Sequence, residues 1–164
     1  MNHSFTPVNM PANNLETHPL QTDPIGIFDS GVGGLSIFRE IQRLLPAENI
    51  LYVADKAHVP YGTRTLEEVQ RYSEGITRFL LEQHAKIIVI ACNAASAAAL
   101  QYLRGVFQGY PFVGMEPAVK PAVQKTLSQH VGVLATQATF QGALYASVIE
   151  RFAQNVKVYE DTCP

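Results

Sequence analysis

A thiol and an amide stand at a point of the sequence where a buried strand gives way to a helix. Residues 87–91 are apolar without alternation, which is typical of a parallel strand covered on both faces. Cys92 and Asn93 follow directly, and the alanine-rich run after them has high helix propensity. The pattern therefore predicts both side chains at the carboxyl end of a strand, the edge where open α/β sheets bind ligands.

The position of Cys92 has two interpretations. A helix N-terminus lowers the pKa of a thiol, because the thiolate meets oriented N–H groups, and such a cysteine is reactive. On that interpretation we expect Cys92 to be alkylated in preference to Cys163. The alternative is a buried structural cysteine, since free cysteines are among the most buried residues in proteins.

A second boundary between strand and helix carries a carboxylate and a hydroxyl. Residues 25–28 predict a short strand, and Asp29 and Ser30 then open a glycine-rich turn before an amphipathic helix that runs to Leu45. The dinucleotide-binding fingerprint fails here, because Ser36 occupies the place of its third glycine. Asp29, Ser30 and backbone N–H groups could bind a small polar ligand, or one of the two side chains could simply cap the helix.

The loop after the second predicted strand, residues 49–54, contains Pro60, Tyr61 and Gly62. A glycine lets backbone N–H groups approach a ligand closely, and the tyrosine offers a hydroxyl. An ordinary turn built on proline and glycine explains the same residues, so this motif alone leaves both interpretations open.

Composition indicates one globular domain, or one domain and part of another. The 164 residues are 47% hydrophobic and 16% charged, with a net charge of −2 and no basic block, so nucleic-acid binding has no electrostatic support. No apolar run reaches the roughly 20 residues that span a bilayer. Residues 1–24 are polar and aperiodic, which predicts a flexible tail without a secretory signal. We therefore expect a protein of the reducing cytoplasm, without a membrane partner.

Strand and helix patterns alternate along the rest of the chain. Further apolar strands are predicted at residues 112–115, 131–135 and 156–159, with a helix that ends near residue 127 and one at 140–152. The alternation predicts an α/β fold with a doubly wound parallel sheet. We expect a first α/β domain over residues 25–115, which carries Cys92, and an incomplete second α/β domain over residues 116–164.

Five motifs in this order resemble the glutamate racemase family of the aspartate/glutamate racemase superfamily. The resemblance extends from Ile25 to the end of the chain. The motifs are Phe28-Asp29-Ser30-Gly31-Val32-Gly33-Gly34-Leu35, Pro60-Tyr61-Gly62, Ala91-Cys92-Asn93, Gly114-Met115-Glu116-Pro117-Ala118 and Gly132-Val133-Leu134-Ala135-Thr136. The fold that the resemblance implies is a doubly wound sheet of the racemase type.

The resemblance also implies an isomerase that needs neither cofactor nor metal and interconverts L- and D-glutamate, supplying the D-isomer for peptidoglycan and the cell wall. In the family, two cysteines face opposite sides of the α-carbon; one thiolate removes the α-proton and the other thiol returns one. Cys92 matches the first cysteine, with Asp29 beside it to set its proton chemistry. The residues that match substrate-binding positions are Asp29, Ser30, Tyr61, Gly62, Asn93, Ala94 and Thr136.

Two features depart from the family pattern. Ala94 stands where the family usually has threonine or serine, which removes a hydroxyl but leaves the backbone N–H. The family's second cysteine lies in a Gly-Cys-Thr-His segment, whereas Cys163 is followed by Pro164 and is not expected to take that role. We therefore expect this sequence to correspond to the N-terminal part of a family chain.

These departures leave two alternative functions open. Ala94 is compatible with an aspartate or broad-specificity amino-acid racemase. The unmatched second cysteine is compatible with a catalytically inactive α/β module that binds a small acid or a partner protein. As partners, the resemblance implies glutamate, a second copy in a homodimer and a cell-wall-precursor activator that binds near an N-terminal extension; the alternative for residues 1–24 is a dispensable tail.

Overall fold

The computed structural model describes residues 22–163, and the tail predicted over residues 1–24 lies almost wholly outside them. The chain alternates between strands and helices, as the sequence predicts. In chain order the elements are β1 (Ile25–Asp29), α1 (Leu35–Leu44), β2 (Ile50–Ala54), a 3-10 turn (Tyr61–Thr63), α2 (Leu66–Glu82), β3 (Ile87–Ile90), α3 (Asn93–Val106), β4 (Phe112–Gly114), α4 (Val119–Lys125), β5 (His130–Ala135), α5 (Gln137–Gln141), α6 (Ala143–Phe152) and β6 (Lys157–Thr162).

The first sheet has four parallel strands in the order β2-β1-β3-β4. Helix α1 packs on one face against Ile27 and Val89. Helices α2 and α3 cover the other face, where Phe28, Ile88 and Ile90 are fully buried. The prediction of a doubly wound parallel sheet is therefore confirmed. The strand order reverses between β1 and β3, and doubly wound folds bind ligands at the carboxyl ends of strands at such a point.

A second, smaller sheet follows the domain boundary predicted between residues 115 and 116. It consists of β5 and β6, which pair in parallel from His130 with Lys157 to Ala135 with Thr162. Helices α4 and α6 supply its small core around Val119 and Val148. A separate second domain from residue 116 onward stays a prediction. None of the described helices is long and apolar enough to cross a membrane.

Helix α3 is central to the packing, and its small side chains make this possible. Eight of its fourteen residues are buried, because α2, α5, α6 and the first sheet all pack against it. At the closest approach, a Cβ added to Gly142 would lie 2.4 Å from the Cβ of Ala97 and 2.6 Å from its carbonyl oxygen. The alanine run therefore has a second effect besides favouring a helix: its small side chains let the backbone at Gly142 lie close to α3.

The same contact corrects one predicted element. A single helix over residues 140–152 is wrong, because two helices, α5 and α6, meet at Gly142. Gly142 has an extended backbone (φ −75°, ψ 138°), which ends α5 and starts α6 where the chain contacts Ala97. Helix α5 begins earlier than predicted, with the Thr136 side chain accepting from the backbone N–H of Thr139.

Candidate functional site

A cleft of about 980 Å³ lies at the carboxyl ends of β1 and β3, facing β5. Its walls are the turn after β1, the 3-10 turn after β2, the start of α3, and the end of β5 with the start of α5. Parallel strands direct their carboxyl ends to one edge of a sheet, so segments far apart in sequence meet there. The cleft brings together every residue that the sequence predicted for a site: Asp29, Ser30, Tyr61, Gly62, Cys92, Asn93, Ala94 and Thr136.

Cys92 occupies the N-cap position of α3, as its place between strand and helix predicts. Its backbone is extended (φ −110°, ψ 124°), and its Sγ accepts a hydrogen bond from the Ala95 N–H at 3.4 Å. The Ser30 Oγ lies 3.5 Å from the same sulfur. The residue is only 8% exposed. The thiol is therefore held in place by α3 and by the turn after β1.

The electrostatic surroundings of Cys92 correct the predicted direction of its pKa shift. Burial raises the pKa of the thiol, and the carboxylate of Asp29 adds to the increase. Hydrogen bonds from the Ala95 N–H and from Ser30 act in the opposite direction without offsetting the burial. The contribution of the helix start has the predicted sign, but the prediction of a lowered pKa is wrong. The expected order of alkylation, Cys92 before Cys163, is therefore reversed. A thiol with a raised pKa is protonated at neutral pH.

Asp29 is the last residue of β1 and holds the turn that follows it. Its buried carboxylate accepts a hydrogen bond from the Gly34 N–H at 2.6 Å through Oδ2. The Ser30 hydroxyl donates to Oδ1 at 3.3 Å. Ser30 therefore lies between this carboxylate and the Cys92 thiol, so the turn brings a carboxylate, a hydroxyl and a thiol into one chain of contacts.

The turn that contains Tyr61 and Gly62 is anchored from both sides. Tyr61 is 1% exposed, and its hydroxyl donates to Asp55 Oδ2 at 2.6 Å. Burial and this bond raise the pKa of Tyr61 far above its ordinary value. The hydroxyl expected to be available to a ligand is therefore already donating to Asp55. On the opposite side, a Cβ added to Gly62 would lie 2.7 Å from Thr136 Cγ2, so the turn needs a glycine here.

Asp55 is a functional candidate that the motifs did not reveal. It follows β2 directly, six residues before Tyr61, whose hydroxyl it accepts from. The motif in this loop, Pro60-Tyr61-Gly62, does not include it. The available signal was an acid at the carboxyl end of a predicted strand, the same signal that marked Asp29.

The other predicted site residues lie on the two helix starts. Asn93 is exposed at the first position of α3, and Ala94 beside it is buried. The Thr136 Oγ1 accepts from the Thr139 N–H at 3.4 Å and contacts the Thr139 hydroxyl at 3.1 Å, which caps α5. Cys163 is exposed after β6 and does not line the cleft. Within residues 22–163, no group of three or more His, Cys, Asp or Glu side chains could hold a metal ion.

Comparison with known proteins decides the family. A family model described as Asp/Glu/Hydantoin racemase matches residues 25–163. This chain belongs to the Asp/Glu/hydantoin racemase family. Two similar curated members are both called glutamate racemase. The one from Pseudomonas paraeruginosa is 52% identical over 144 residues, which cover 88% of this chain and 54% of that protein. The one from Roseiflexus is 52% identical over 141 residues, or 86% and 52% of the two chains.

Solved structures confirm the racemase fold. Glutamate racemase from Thermus thermophilus, in complex with β-chloro-D-alanine, superposes with a TM-score of 0.72 at 41% identity, over 88% of this chain and 53% of that one. The Francisella tularensis enzyme, in complex with D-glutamate, superposes with a TM-score of 0.74 at 36% identity, over 88% of this chain and 54% of that one. The Escherichia coli enzyme, in complex with L-glutamate and the activator UDP-MurNAc-ala, superposes with a TM-score of 0.74 at 37% identity, over 84% of this chain and 52% of that one. This racemase-family chain spans about half the length of the curated relatives it matches.

Proposed function

We propose that this chain forms the Cys92 side of a cofactor-independent glutamate racemase, an isomerase that interconverts L- and D-glutamate. The observation that carries the proposal is the Cys92 thiol, held by α3 in the cleft and joined through Ser30 to Asp29. The curated relatives called glutamate racemase, at 52% identity, support glutamate as the substrate. The product D-glutamate would serve peptidoglycan synthesis in the cytoplasm.

Cys92 is the proposed base on one face of the substrate's α-carbon. The thiol first transfers its proton toward Asp29, by way of the Ser30 hydroxyl that contacts both groups. The raised pKa of the thiol makes the thiolate, once formed, a stronger base toward a weakly acidic C–H bond. The Ala95 N–H and the Ser30 hydroxyl then donate to the sulfur and hold it in place.

The rest of the cleft is proposed to bind the carboxylates and the ammonium group of glutamate. The backbone N–H of Ala94 lies at the start of α3, a fourteen-residue helix whose dipole favours a carboxylate there. Gly62, Asn93, Thr136 and Ser30 offer further polar groups around the same space. Donors aimed at the substrate carboxylate stabilise the carbanion that forms when the α-proton leaves.

Inversion also needs a proton donor on the opposite face of the α-carbon. The chain has two cysteines, and of these only Cys92 lines the cleft. Cys92 alone can remove and return a proton on one face, which exchanges the α-hydrogen without changing the configuration. This chain is therefore proposed to contribute one of the two proton-transfer groups.

Regulation by a cell-wall precursor is a further part of the proposal. The Escherichia coli relative was solved with UDP-MurNAc-ala described as its activator. That relative is 37% identical to this chain, which supports an activator of the same class as a partner. A homodimer stays a prediction from the family resemblance.

Substrate binding is tested by NMR titration of the ¹⁵N-labelled chain with L-glutamate, D-glutamate and aspartate. We expect either glutamate enantiomer to shift the amide signals of Ser30, Gly62, Asn93 and Ala94. Val113 and Ser147 line a second cavity, outside this cleft, and serve as internal controls whose signals should stay in place. Stronger shifts with aspartate would favour the aspartate racemase alternative. Unchanged spectra with both glutamate enantiomers would contradict the proposed substrate.

A further inference from the structure

We propose that Asp55 is a positioning residue, which fixes the turn of Tyr61 and Gly62 relative to the Cys92 side of the cleft. This inference rests on the proposed function, because the turn is one of the proposed glutamate-binding segments. Asp55 itself does not line the cleft. It acts through Tyr61 and through the backbone of β1.

Asp55 makes hydrogen bonds in two directions. Its backbone N–H donates to the carbonyl oxygen of Asp29 at 2.9 Å, which ties it to the end of β1 beside Cys92. Its carboxylate accepts from the Tyr61 hydroxyl at 2.6 Å, which ties it to the 3-10 turn. One residue thus connects the end of β1, which carries Asp29, to the turn on the neighbouring wall.

The carboxylate of Asp55 is itself held firmly. Its side chain is only 9% exposed. The Nδ1 of His58 lies 2.9 Å from each carboxylate oxygen. The ring of His58 stacks on Tyr72, with a centroid distance of 3.9 Å and an interplanar angle of 15°. A carboxylate buried among such partners has little freedom to rotate, so it can define where the Tyr61 hydroxyl lies.

A small displacement of the turn would matter, because the turn already contacts the opposite wall. Gly62 lies so close to Thr136 that not even a Cβ fits between them. The buried Tyr61 side chain holds this turn from the other side, and Asp55 accepts a hydrogen bond from its hydroxyl, the only polar atom of that side chain. Loss of that bond should change the spacing between the Gly62 N–H, Thr136 and Cys92.

The test uses the full 164-residue chain with Tyr61→Phe, Asp55→Ala and the double variant. A second tyrosine–carboxylate pair, in which the buried Tyr145 donates to the exposed Glu160 at 2.8 Å outside the cleft, provides controls in Tyr145→Phe and Glu160→Ala. Two properties are measured for each variant: the NOE between the Gly62 α-protons and the Thr136 methyl group, and the dissociation constant for glutamate. Thermal melts identify any variant that fails to fold, and Tyr61→Phe, which removes one oxygen atom, is the mildest.

We expect both single cleft variants to weaken the NOE and to raise the glutamate dissociation constant roughly three- to tenfold, the range for loss of one hydrogen bond. The double variant should bind no more weakly than Asp55→Ala alone, because Asp55→Ala already breaks the hydrogen bond that Tyr61→Phe removes. The control pair should change neither property. An intact NOE in Tyr61→Phe, or an unchanged dissociation constant when the NOE is lost, would overturn the inference. If the wild-type chain binds no glutamate, the proposed function fails, while the NOE still decides whether Asp55 positions the turn.

Discussion

Replacement of Gly62 by alanine should separate the two walls of the cleft. The added Cβ would lie 2.7 Å from Thr136 Cγ2 and 2.8 Å from Thr136 Cβ. Ordinary contact begins at 3.4 Å, so the turn or β5 must move by roughly 0.7 Å. Forced overpacking of this kind costs about 1–3 kcal/mol. In a chain of this size, each kcal/mol lowers the melting temperature by roughly 2–4 °C.

Denaturant unfolding of Gly62→Ala, compared with two reference variants, measures this cost. Gly75 lies in α2 with nothing within 4 Å of an added Cβ, so Gly75→Ala should instead stabilise the chain by about 0.4–1 kcal/mol. Thr136→Ser removes the nearest colliding methyl group but keeps the hydroxyl that caps α5. Combined with Gly62→Ala, it should recover part of the lost free energy of unfolding. Equal stabilities of Gly62→Ala and wild type, or no recovery in the double variant, would refute the close contact.

Three further predictions concern the thiols, Tyr52 and Ala94. Near neutral pH, limiting iodoacetamide should label the exposed Cys163 before the buried Cys92. The labelling of Cys92 should increase as the pH rises above the range in which an ordinary thiol ionises. Peptide mapping that finds Cys92 labelled first would contradict its burial and its raised pKa. Burial and the nearby charges of Asp29 and Cys92 raise the pKa of Tyr52 from 10.0 to about 12. The protonated hydroxyl therefore contributes stability in full below pH 10, and this contribution is lost as the pH rises to 12. Tyr52→Phe should make the free energy of unfolding fall less steeply between these pH values, and parallel curves for the variant and the wild type would contradict the raised pKa. Ala94→Thr should tighten glutamate binding a few-fold to about tenfold by restoring a hydroxyl, which isothermal titration calorimetry would show; unchanged or weaker binding would count against it.

The strands and most of the site could be predicted from local patterns and one topological rule. The apolar run before Cys92 predicted β3, and the same pattern before Asp29 predicted β1. Because parallel strands end at one edge, the polar residues after them had to share a cleft. Asp29, Ser30, Cys92 and Asn93 were therefore predictable as a group, without knowledge of any side-chain contact. Ala94 and Thr136 were expected only from the family resemblance.

Features that depend on contacts between distant segments could not be predicted in this way. The break at Gly142 results from its contact with Ala97, which lies in another helix. The sign of the pKa shift at Cys92 was missed because the local helix start lowers the pKa, whereas burial by surrounding elements raises it more. The hydrogen bond from Tyr61 to Asp55 likewise could not be predicted, because it depends on the directions of two side chains in a loop that has no periodic pattern.

The most direct test of the role of Cys92 follows the α-hydrogen of each glutamate enantiomer in D₂O. NMR measures deuteration and polarimetry measures configuration. We expect deuterium to enter the α-position with retention of configuration, because only one of the two cysteines lines the cleft. Cys92→Ser should reduce exchange to the rate without protein, and Cys163→Ser should leave it unchanged. Exchange that survives Cys92→Ser, inversion as fast as exchange, or no exchange by the wild-type chain would contradict the assignment of Cys92 as the base.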